Sequence, residues 1–343
     1  MKVAMIHAPL DVRVEEQEVP ALGPQDVSVR VHAGGICGSD LHYFQHGGFG
    51  TVRLREPMIL GHEVAGVVAA VGIAVTAVAP GDHVAVNPSL PCAQCRYCLE
   101  GMPNQCLDMR FYGSAMRMPH VQGAFREVLV CKESQLVVVP QDLPLSSAAF
   151  AEPLAVCLHA GRQAGALLGK RVLVSGVGPI GALAILTARH AGASEIVATD
   201  LLAEPLALVA RIGADRTINL RETPDALQAY SKDKGYFEVV LEASGSAAGL
   251  NSAIQVVRAG GTIVQIGLGG ELSIPVNMLV SKEVSLRGSF RFHHEFAWAT
   301  NFIASGAIDV RPLLTEVIPL AEAARAFELA GDRRLAMKVQ LAF

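Results

Sequence analysis

The sequence predicts an α/β protein that joins a β-rich domain to a doubly wound parallel sheet, and three observations carry that expectation. Up to about Pro140 the chain reads as short β segments separated by turn residues, at 27–32, 64–71, 83–86 and 135–139. From Arg171 the pattern changes to strand, glycine turn, amphipathic helix and strand, with strands expected at 171–175, 195–199, 216–219, 237–241, 262–266 and 284–288. Six strands with intervening helices call for a six-stranded parallel sheet of the dinucleotide-binding kind. After about Ser289 the alternation stops, and helices near 295–305 and 321–330 and a last strand at 338–343 return the chain to the first domain. The expected division is therefore 1–146 with 289–343 for the β-rich domain and 147–288 for the parallel-sheet domain, and 343 residues are enough for two cores. Gly192, Gly213 and Gly260 each fall where a helix should stop.

Composition narrows the partners. A formal charge of -4 without a basic cluster offers no footprint for a phosphate backbone, so nucleic acid is excluded and a small-molecule substrate is expected. The uncharged run 64–81 has the length of a short membrane span, but Gly66, Gly72, Thr76 and Pro80 interrupt it, and two short strands are expected there rather than a membrane helix. Residues 1–9 hold one lysine and an apolar stretch broken by His7, which reads as a first strand and not as a secretory signal. A cytoplasmic, reducing setting is then expected, in which seven cysteines point to metal or thiol chemistry before disulfides.

The run Gly176-Val177-Gly178-Pro179-Ile180-Gly181 follows an apolar strand and opens a helix. Glycine at these places permits a tight turn, lets backbone approach a pyrophosphate and lets the helix pack closely, while the helix N-terminus offers free amide donors. Asp200, 19 residues beyond Gly181, ends the next strand and is positioned to accept hydrogen bonds from ribose hydroxyls. Because Leu201, Leu202 and Ala203 supply no cation for a 2'-phosphate, NAD is expected in preference to NADP.

Cys92, Cys95, Cys98 and Cys106 lie between Pro91 and Pro103 and just beyond, in a segment with little hydrophobic periodicity. Four thiolates at this spacing close a tetrahedral zinc site with no open position, so its role is structural. A second set is scattered: Cys37, His62 and Glu63, and Glu152. One thiolate, one imidazole and one carboxylate would hold a zinc ion and leave a position open, as catalysis requires. Either glutamate could complete that set, and Asp40 could orient His62 from behind. Two zinc ions per chain are expected. Cys131 and Cys157 read as buried thiols.

Gly61-His62-Glu63 with Gly66, Gly72 and Val75, the four-cysteine lobe and the glycine loop, in that order, resemble the zinc-dependent medium-chain dehydrogenases over the whole chain. That resemblance implies a GroES-like catalytic domain beside a Rossmann domain, and alcohol oxidation in which zinc polarises the substrate hydroxyl while a hydride passes to the nicotinamide. Glu152, in Ala-Glu-Pro-Leu-Ala, departs from the cysteine of ordinary alcohol dehydrogenases and is similar to the polyol branch. Within that branch Asn87-Pro88-Ser89, the run from Asp108 to Met116, Pro119-His120-Val121 and the run from Arg287 to Phe292 resemble enzymes of sugar acids, with sorbitol or xylitol as the alternative substrates.

The resemblance further implies Ser39 as a relay hydroxyl and His42 as the histidine that passes the proton to solvent. A carboxylated substrate needs a cation, for which Arg110, Arg117, His120 and Arg291 are available; Arg291 resembles a substrate-side arginine of the branch and can grip a carboxylate with a bidentate fork. Tyr43, next to His42, is expected to line the same cleft. A homodimer or homotetramer joined at sheet edges is also implied. The reading from another class is a cofactor-binding relative without catalysis; intact Cys37, Ser39, His62 and Glu152 argue against it.

Overall fold

The computed structural model describes all 343 residues. A six-stranded sheet runs in the order Arg216–Asn219, Glu195–Asp200, Arg171–Ser175, Phe237–Glu242, Val257–Gln265, Ser285–Gly288, and every neighbouring pair is parallel. The strand order reverses at Arg171–Ser175, whose neighbours are the second and fourth strands in sequence. A crevice opens beyond the C-terminal ends of the strands at such a reversal, and here the glycine run begins at that point.

A seven-stranded, mainly antiparallel sheet forms the other half. Its path is Leu136–Val139, His83–Val86, Glu63–Val71, Asp26–Gly35, Lys338–Ala342 and Leu314–Pro319, with Val128–Lys132 paired to Asp26–Gly35 off that path. The last two strands come from the tail, so the chain returns to the half it began in, whose first strands Lys2–Ala8 and Asp11–Glu16 form a separate three-stranded sheet with Met58–Ile59. Lys338–Ala342 pairs antiparallel with the end of Asp26–Gly35 and thereby reaches the residues just before Cys37. Between the two sheets lies one continuous apolar core, in which Ala33 and Ala65 of the first sheet, Leu154 of the helix Ala151–Ala164, Phe296 of the helix Glu295–Ala304 and Val174 of the second sheet all take part. Large side chains buried this way contribute roughly 1.5–3 kcal/mol each, which fixes the walls of the cleft between the sheets.

Two expectations are corrected. Residues 64–81 hold a single strand, Glu63–Val71, followed by turns rather than a second strand, because Gly72 packs directly on the backbone of Gly23 and Pro24 and leaves the ladder. Gly260 lies inside Val257–Gln265 and not at a helix stop; the helix Ala247–Val256 passes straight into that strand, and Gly260 takes a left-handed φ of 70° where Phe237 pairs with Val257 but Val239 with Thr262. Extra residues on one strand of the pair force a bulge, and glycine accommodates it. No helix is long and apolar enough to cross a membrane.

Arg171 and Glu238 clamp the mouths of two central strands. The guanidinium donates from Nε to Oε2 at 3.0 Å, lies 4.1 Å from the Tyr236 ring centroid, and holds the Glu238 carboxyl down at about 2 against the opposing effect of burial. Because that pKa is depressed on folding, the contribution is present above the ordinary value of 4.5 and lost as the pH falls toward about 2. Glu238→Gln is expected to lower the apparent melting temperature at pH 7 by ~2–4 °C, with the gap to the wild type narrowing as the pH drops below 4.5 in calorimetry.

Candidate metal and dinucleotide sites

Cys37 has extended backbone and caps the helix Gly38–His46. Its N–H donates to Oδ2 of Asp40 at 3.0 Å, and the other oxygen, Oδ1, accepts from the N–H of Gly61 at 3.2 Å. A single, fully buried carboxylate thus ties the helix start to the loop that carries His62 and Glu63. One ligand atom from each of Cys37, His62 and Glu63 lies within 4.8 Å of the others, a spacing one ion can span. Glu152 stands in the first turn of Ala151–Ala164, buried and within electrostatic reach of all three, but outside that group. The expected role of Asp40 changes: it is 3.7 Å from Nδ1 of His62, too far for a hydrogen bond, and it positions the backbones of Cys37 and Gly61 instead.

Electrostatics at this cluster is one-sided. Asp40, Glu63 and Glu152 are three buried carboxylates, and Lys338 is the one buried ammonium beside them. Nζ of Lys338 is 2.5 Å from Oε2 of Glu63 and donates to the carbonyl of Ile36 at 3.0 Å. Burial alone would lower its pKa, but Glu63 and Cys37 more than reverse that and the net shift is upward. Gly35 makes room for the pair, since a Cβ there would strike Oε2 of Glu63. Burial pushes the Glu152 carboxyl up to about 8; His62 pulls it down, and Glu63 and Cys37 push it further. Burial, then Glu63, likewise pushes the Cys37 thiol up to about 12. Nδ1 of His62 and Oε1 of Glu63 are buried without any hydrogen-bond partner. This donor set fits a divalent ion of zinc type: it offers sulfur, nitrogen and oxygen, and it is short of positive charge.

The four-cysteine lobe fits a second ion. All seven cysteines are free, and Sγ of Cys95 lies 3.6 Å from that of Cys98 and 4.0 Å from that of Cys106. Those separations are far beyond a disulfide's ~2.05 Å and match the ~3.8 Å edge of a tetrahedron of sulfurs ~2.3 Å from a zinc. Backbone N–H groups of Cys92, Cys95, Leu107 and Asp108 point at the sulfurs of Cys106, Cys92, Cys95 and Cys106. Such donors favour thiolate, and the Cys95 thiol is drawn down to about 6. Leu99, Met102 and Leu107 are exposed, so the lobe has no core of its own to hold it.

At the second site Gly176 has a left-handed φ of 81°, and a Cβ on Gly181 would collide with the carbonyl of Gly176, so the cradle is closed to any larger residue. Gly178 caps the helix Pro179–His190, with Pro179 in its first turn and Ile180 after it. This arrangement of free amides over an open crevice fits a pyrophosphate. Asp200 ends Glu195–Asp200 as expected, but its carboxylate is already engaged: Oδ2 accepts from Val177 N–H and from Nη2 of Arg333, and Oδ1 from the N–H groups of Leu201 and Leu202. Arg333 is 133 residues away in sequence, which is why local inspection around Asp200 misses it.

The structure separates the four cations considered for a substrate carboxylate. Arg117 pairs with Asp108, His120 accepts from the N–H of Arg55 and contacts the carbonyl of Arg117, and Arg110 lies exposed. Arg291 alone faces the metal cluster. Its guanidinium lies 4.1 Å from the Phe111 ring centroid, and that ring is 5.3 Å from the His62 ring. Burial lowers the Arg291 pKa to about 10, with Glu152 and Tyr43 opposing, and its side-chain hydrogen bond goes only to the sulfur of Met116. A left-handed φ of 54° on this arginine marks backbone held against its preference. Tyr43 is buried, and its hydroxyl accepts from the N–H of Ala115, so it supports the cleft wall rather than offering a free hydroxyl. Ser39 is half-buried and His42 exposed, three residues apart on the first turn and a half of one helix. Cys131 and Cys157 are buried thiols donating to the carbonyls of Val27 and Ile180. Lys338 had no local sequence signal, and Phe111 stood in the run from Asp108 to Met116 without a role of its own; only the fold brings them to the site.

A parallel six-stranded sheet beside a sheet-built metal cluster defines a two-domain, metal-dependent dehydrogenase. The chain belongs to the zinc-binding dehydrogenase family: the alcohol dehydrogenase GroES-like domain matches residues 23–141 and the zinc-binding dehydrogenase domain matches 179–305. It is 46% identical over 316 residues to the L-idonate 5-dehydrogenase (NAD(P)(+)) of Escherichia coli strain K12, covering 92% of this chain and 91% of that one. It is 37% identical over 328 residues to the sorbitol dehydrogenase of Gallus gallus, covering 94% and 91%. The crystal structure of the Escherichia coli L-idonate 5-dehydrogenase superimposes with a TM-score of 0.96 at 43% identity, over 100% of this chain and 98% of that one.

Asp40→Asn replaces an acceptor with an amide that can satisfy only one of the two backbone donors. The cost is ~1–3 kcal/mol at the helix start, and zinc measured by plasma mass spectrometry should fall from two ions per chain toward one, with the four-cysteine lobe still loaded.

Proposed function

We propose that this chain oxidises the secondary alcohol of a sugar acid, L-idonate to 5-keto-D-gluconate, with NAD as hydride acceptor. The observation that carries the reading is Arg291, a half-buried guanidinium stacked through Phe111 on the metal cluster and in contact with no carboxylate of the protein. A cation left unpaired in such a place suits an anionic substrate, whose carboxylate supplies the missing charge. The similarity to an L-idonate 5-dehydrogenase supports the same substrate. The sorbitol dehydrogenase similarity supports a polyol as the second reading, at lower identity.

Cys37, His62 and Glu63, with Glu152 beside them, would hold the catalytic zinc, and Cys92, Cys95, Cys98 and Cys106 the structural one. When bound, zinc supplies Lewis acidity and NAD accepts the hydride. The chain's own residues supply position and proton transfer. Ser39 takes the hydroxyl proton as it passes its own on toward His42, which releases a proton to water; partial burial and His46 lower the His42 pKa, which speeds that release. Arg291 fixes the carboxylate end, and Gly176, Gly178, Pro179, Ile180 and Gly181 present the phosphate cradle. Residues 147–288 act as the dinucleotide half and 1–146 with 289–343 as the catalytic half.

A cytoplasmic homodimer or homotetramer goes with this reading. The terminal strand Ser285–Gly288 of the parallel sheet is exposed throughout, and Val276 and Val280 of the adjoining helix Val276–Lys282 are exposed apolar residues. A second copy covering that edge would remove both liabilities. Light scattering should give at least twice the 36.1 kDa chain mass.

The deciding experiment is a panel of L-idonate, D-gluconate, sorbitol, xylitol and L-threonine, read by the absorbance of reduced nicotinamide. L-idonate should give the highest kcat/KM, and equal or faster turnover of sorbitol would favour the polyol. Arg291→Ala should cut kcat/KM for L-idonate by about 10- to 100-fold while sorbitol turnover holds nearly steady; equal losses would remove the carboxylate role.

A further inference from the structure

The glycine loop and Asp200 are complete from the dinucleotide half alone, yet a side chain from the other half is inserted between them. Arg333 follows the helix Ala323–Gly331, in the loop that leads to the strand Lys338–Ala342. Its Nη2 is 2.5 Å from Oδ2 of Asp200. A Cβ on Gly178 would lie 3.5 Å from its Nε, so the guanidinium also spans the cradle where a pyrophosphate would sit. The next residue, Arg334, pairs with Asp332 in its own loop and stays well exposed. Of the two neighbouring arginines, only Arg333 crosses.

The donors on Asp200 decide what this crossing does. A carboxylate has about four acceptor positions, and Val177, Arg333, Leu201 and Leu202 occupy them. Three of those donors are backbone groups of the fold and cannot leave. The hydroxyl of an unphosphorylated ribose can therefore reach Asp200 only by displacing Arg333. A ribose 2'-phosphate needs no such displacement, because the guanidinium neutralises Asp200 and still has N–H groups to give to phosphate.

We propose that Arg333 is a cofactor-specificity residue that admits the 2'-phosphorylated dinucleotide to a site whose local sequence favours the unphosphorylated one. The proposal rests on the dinucleotide site read above and adds a second nucleotide class to it. Arg333 acts in trans to the Rossmann unit, so the preference set by Asp200 is moderated from the C-terminal segment.

Binding without substrate tests it. NADH and NADPH are titrated into the zinc-loaded wild type and into Arg333→Ala and Arg333→Gln, following nicotinamide fluorescence, with melting curves and zinc content as checks of folding. The wild type should bind both. In each variant the ratio Kd(NADPH)/Kd(NADH) should rise about tenfold, the loss of one charge-assisted phosphate contact, with NADH binding as well as before or better. Arg333→Lys, which keeps charge but not the fork, should fall between. A ratio that rises less than fivefold, or equal weakening of both cofactors, overturns the proposal and makes Arg333 a pyrophosphate contact or a structural one. A wild type that binds NADH but not NADPH overturns it as well. Failure of the wild type to bind either cofactor overturns the dinucleotide site itself, and the proposal with it, whereas failure of the substrate panel alone leaves this result standing.

Discussion

Negative charge is buried around Cys37 in excess of what the chain itself can neutralise, and much of the surrounding architecture answers that constraint. Three buried carboxylates and a thiol stand against one buried ammonium and the half-buried Arg291 guanidinium, so acid outnumbers cation in the cluster. Burial among these acids favours the protonated forms of Glu152 and Cys37, whose pKa values are both raised. A divalent ion reverses the sign of that local field and lets thiol and acid ionise as ligands. The same demand explains why the tail must return to the first sheet: Lys338 begins the strand Lys338–Ala342, and its ammonium arrives at Glu63 only when that strand pairs with Asp26–Gly35. Gly35 is the space left for that meeting.

The C-terminal segment extends this logic to the other half of the molecule. Five residues before Lys338, Arg333 reaches Asp200, so one short stretch places a cation on the metal cluster and another on the nucleotide loop. The Lys338–Glu63 pair is buried on both sides, whereas the Arg333–Asp200 pair joins a nearly inaccessible carboxylate to an exposed guanidinium. The relative placement of the two halves is therefore held by apolar packing through Leu154 and Phe296 and by two charged contacts at the sites themselves.

What the sequence disclosed and what it withheld follow from how local each signal is. The parallel strands were legible because buried strands, glycine stops and helices repeat with a fixed period, and 171–175 and 216–219 agree to the residue. The cysteine lobe and glycine loop were legible because all their parts lie within a few turns of one another. Gly260 misled, since a bulge and a helix stop both ask for a left-handed glycine and only the pairing of Val239 with Thr262 tells them apart. Asp40 was placed in the right site with the wrong partner, because which of its oxygens meets Cys37 and which meets Gly61 is settled only by the turn at Gly61. Lys338 and Arg333 had no signature, being an ordinary lysine and arginine until long-range pairing gives them neighbours, and Phe111 had only its place in the run from Asp108 to Met116.

Arg291 shows how far such neighbours reach. Its left-handed backbone costs on the order of 1–3 kcal/mol, and an arginine stays there only if the segment around it is fastened. One fastening comes from the four-cysteine lobe: Nδ2 of Asn104, which lies between Cys98 and Cys106, donates to the carbonyl of Phe290 at 3.0 Å. Phe290 also offers its ring 4.9 Å from the guanidinium, and Phe111, just beyond the lobe, offers its own at 4.1 Å. Because the lobe has no hydrophobic core, whatever organises its sulfurs also organises Asn104. The two clusters are thus not independent features of the chain. One brings Cys37, His62 and Glu63 together, and the other, through Asn104, holds the segment that carries the arginine facing them.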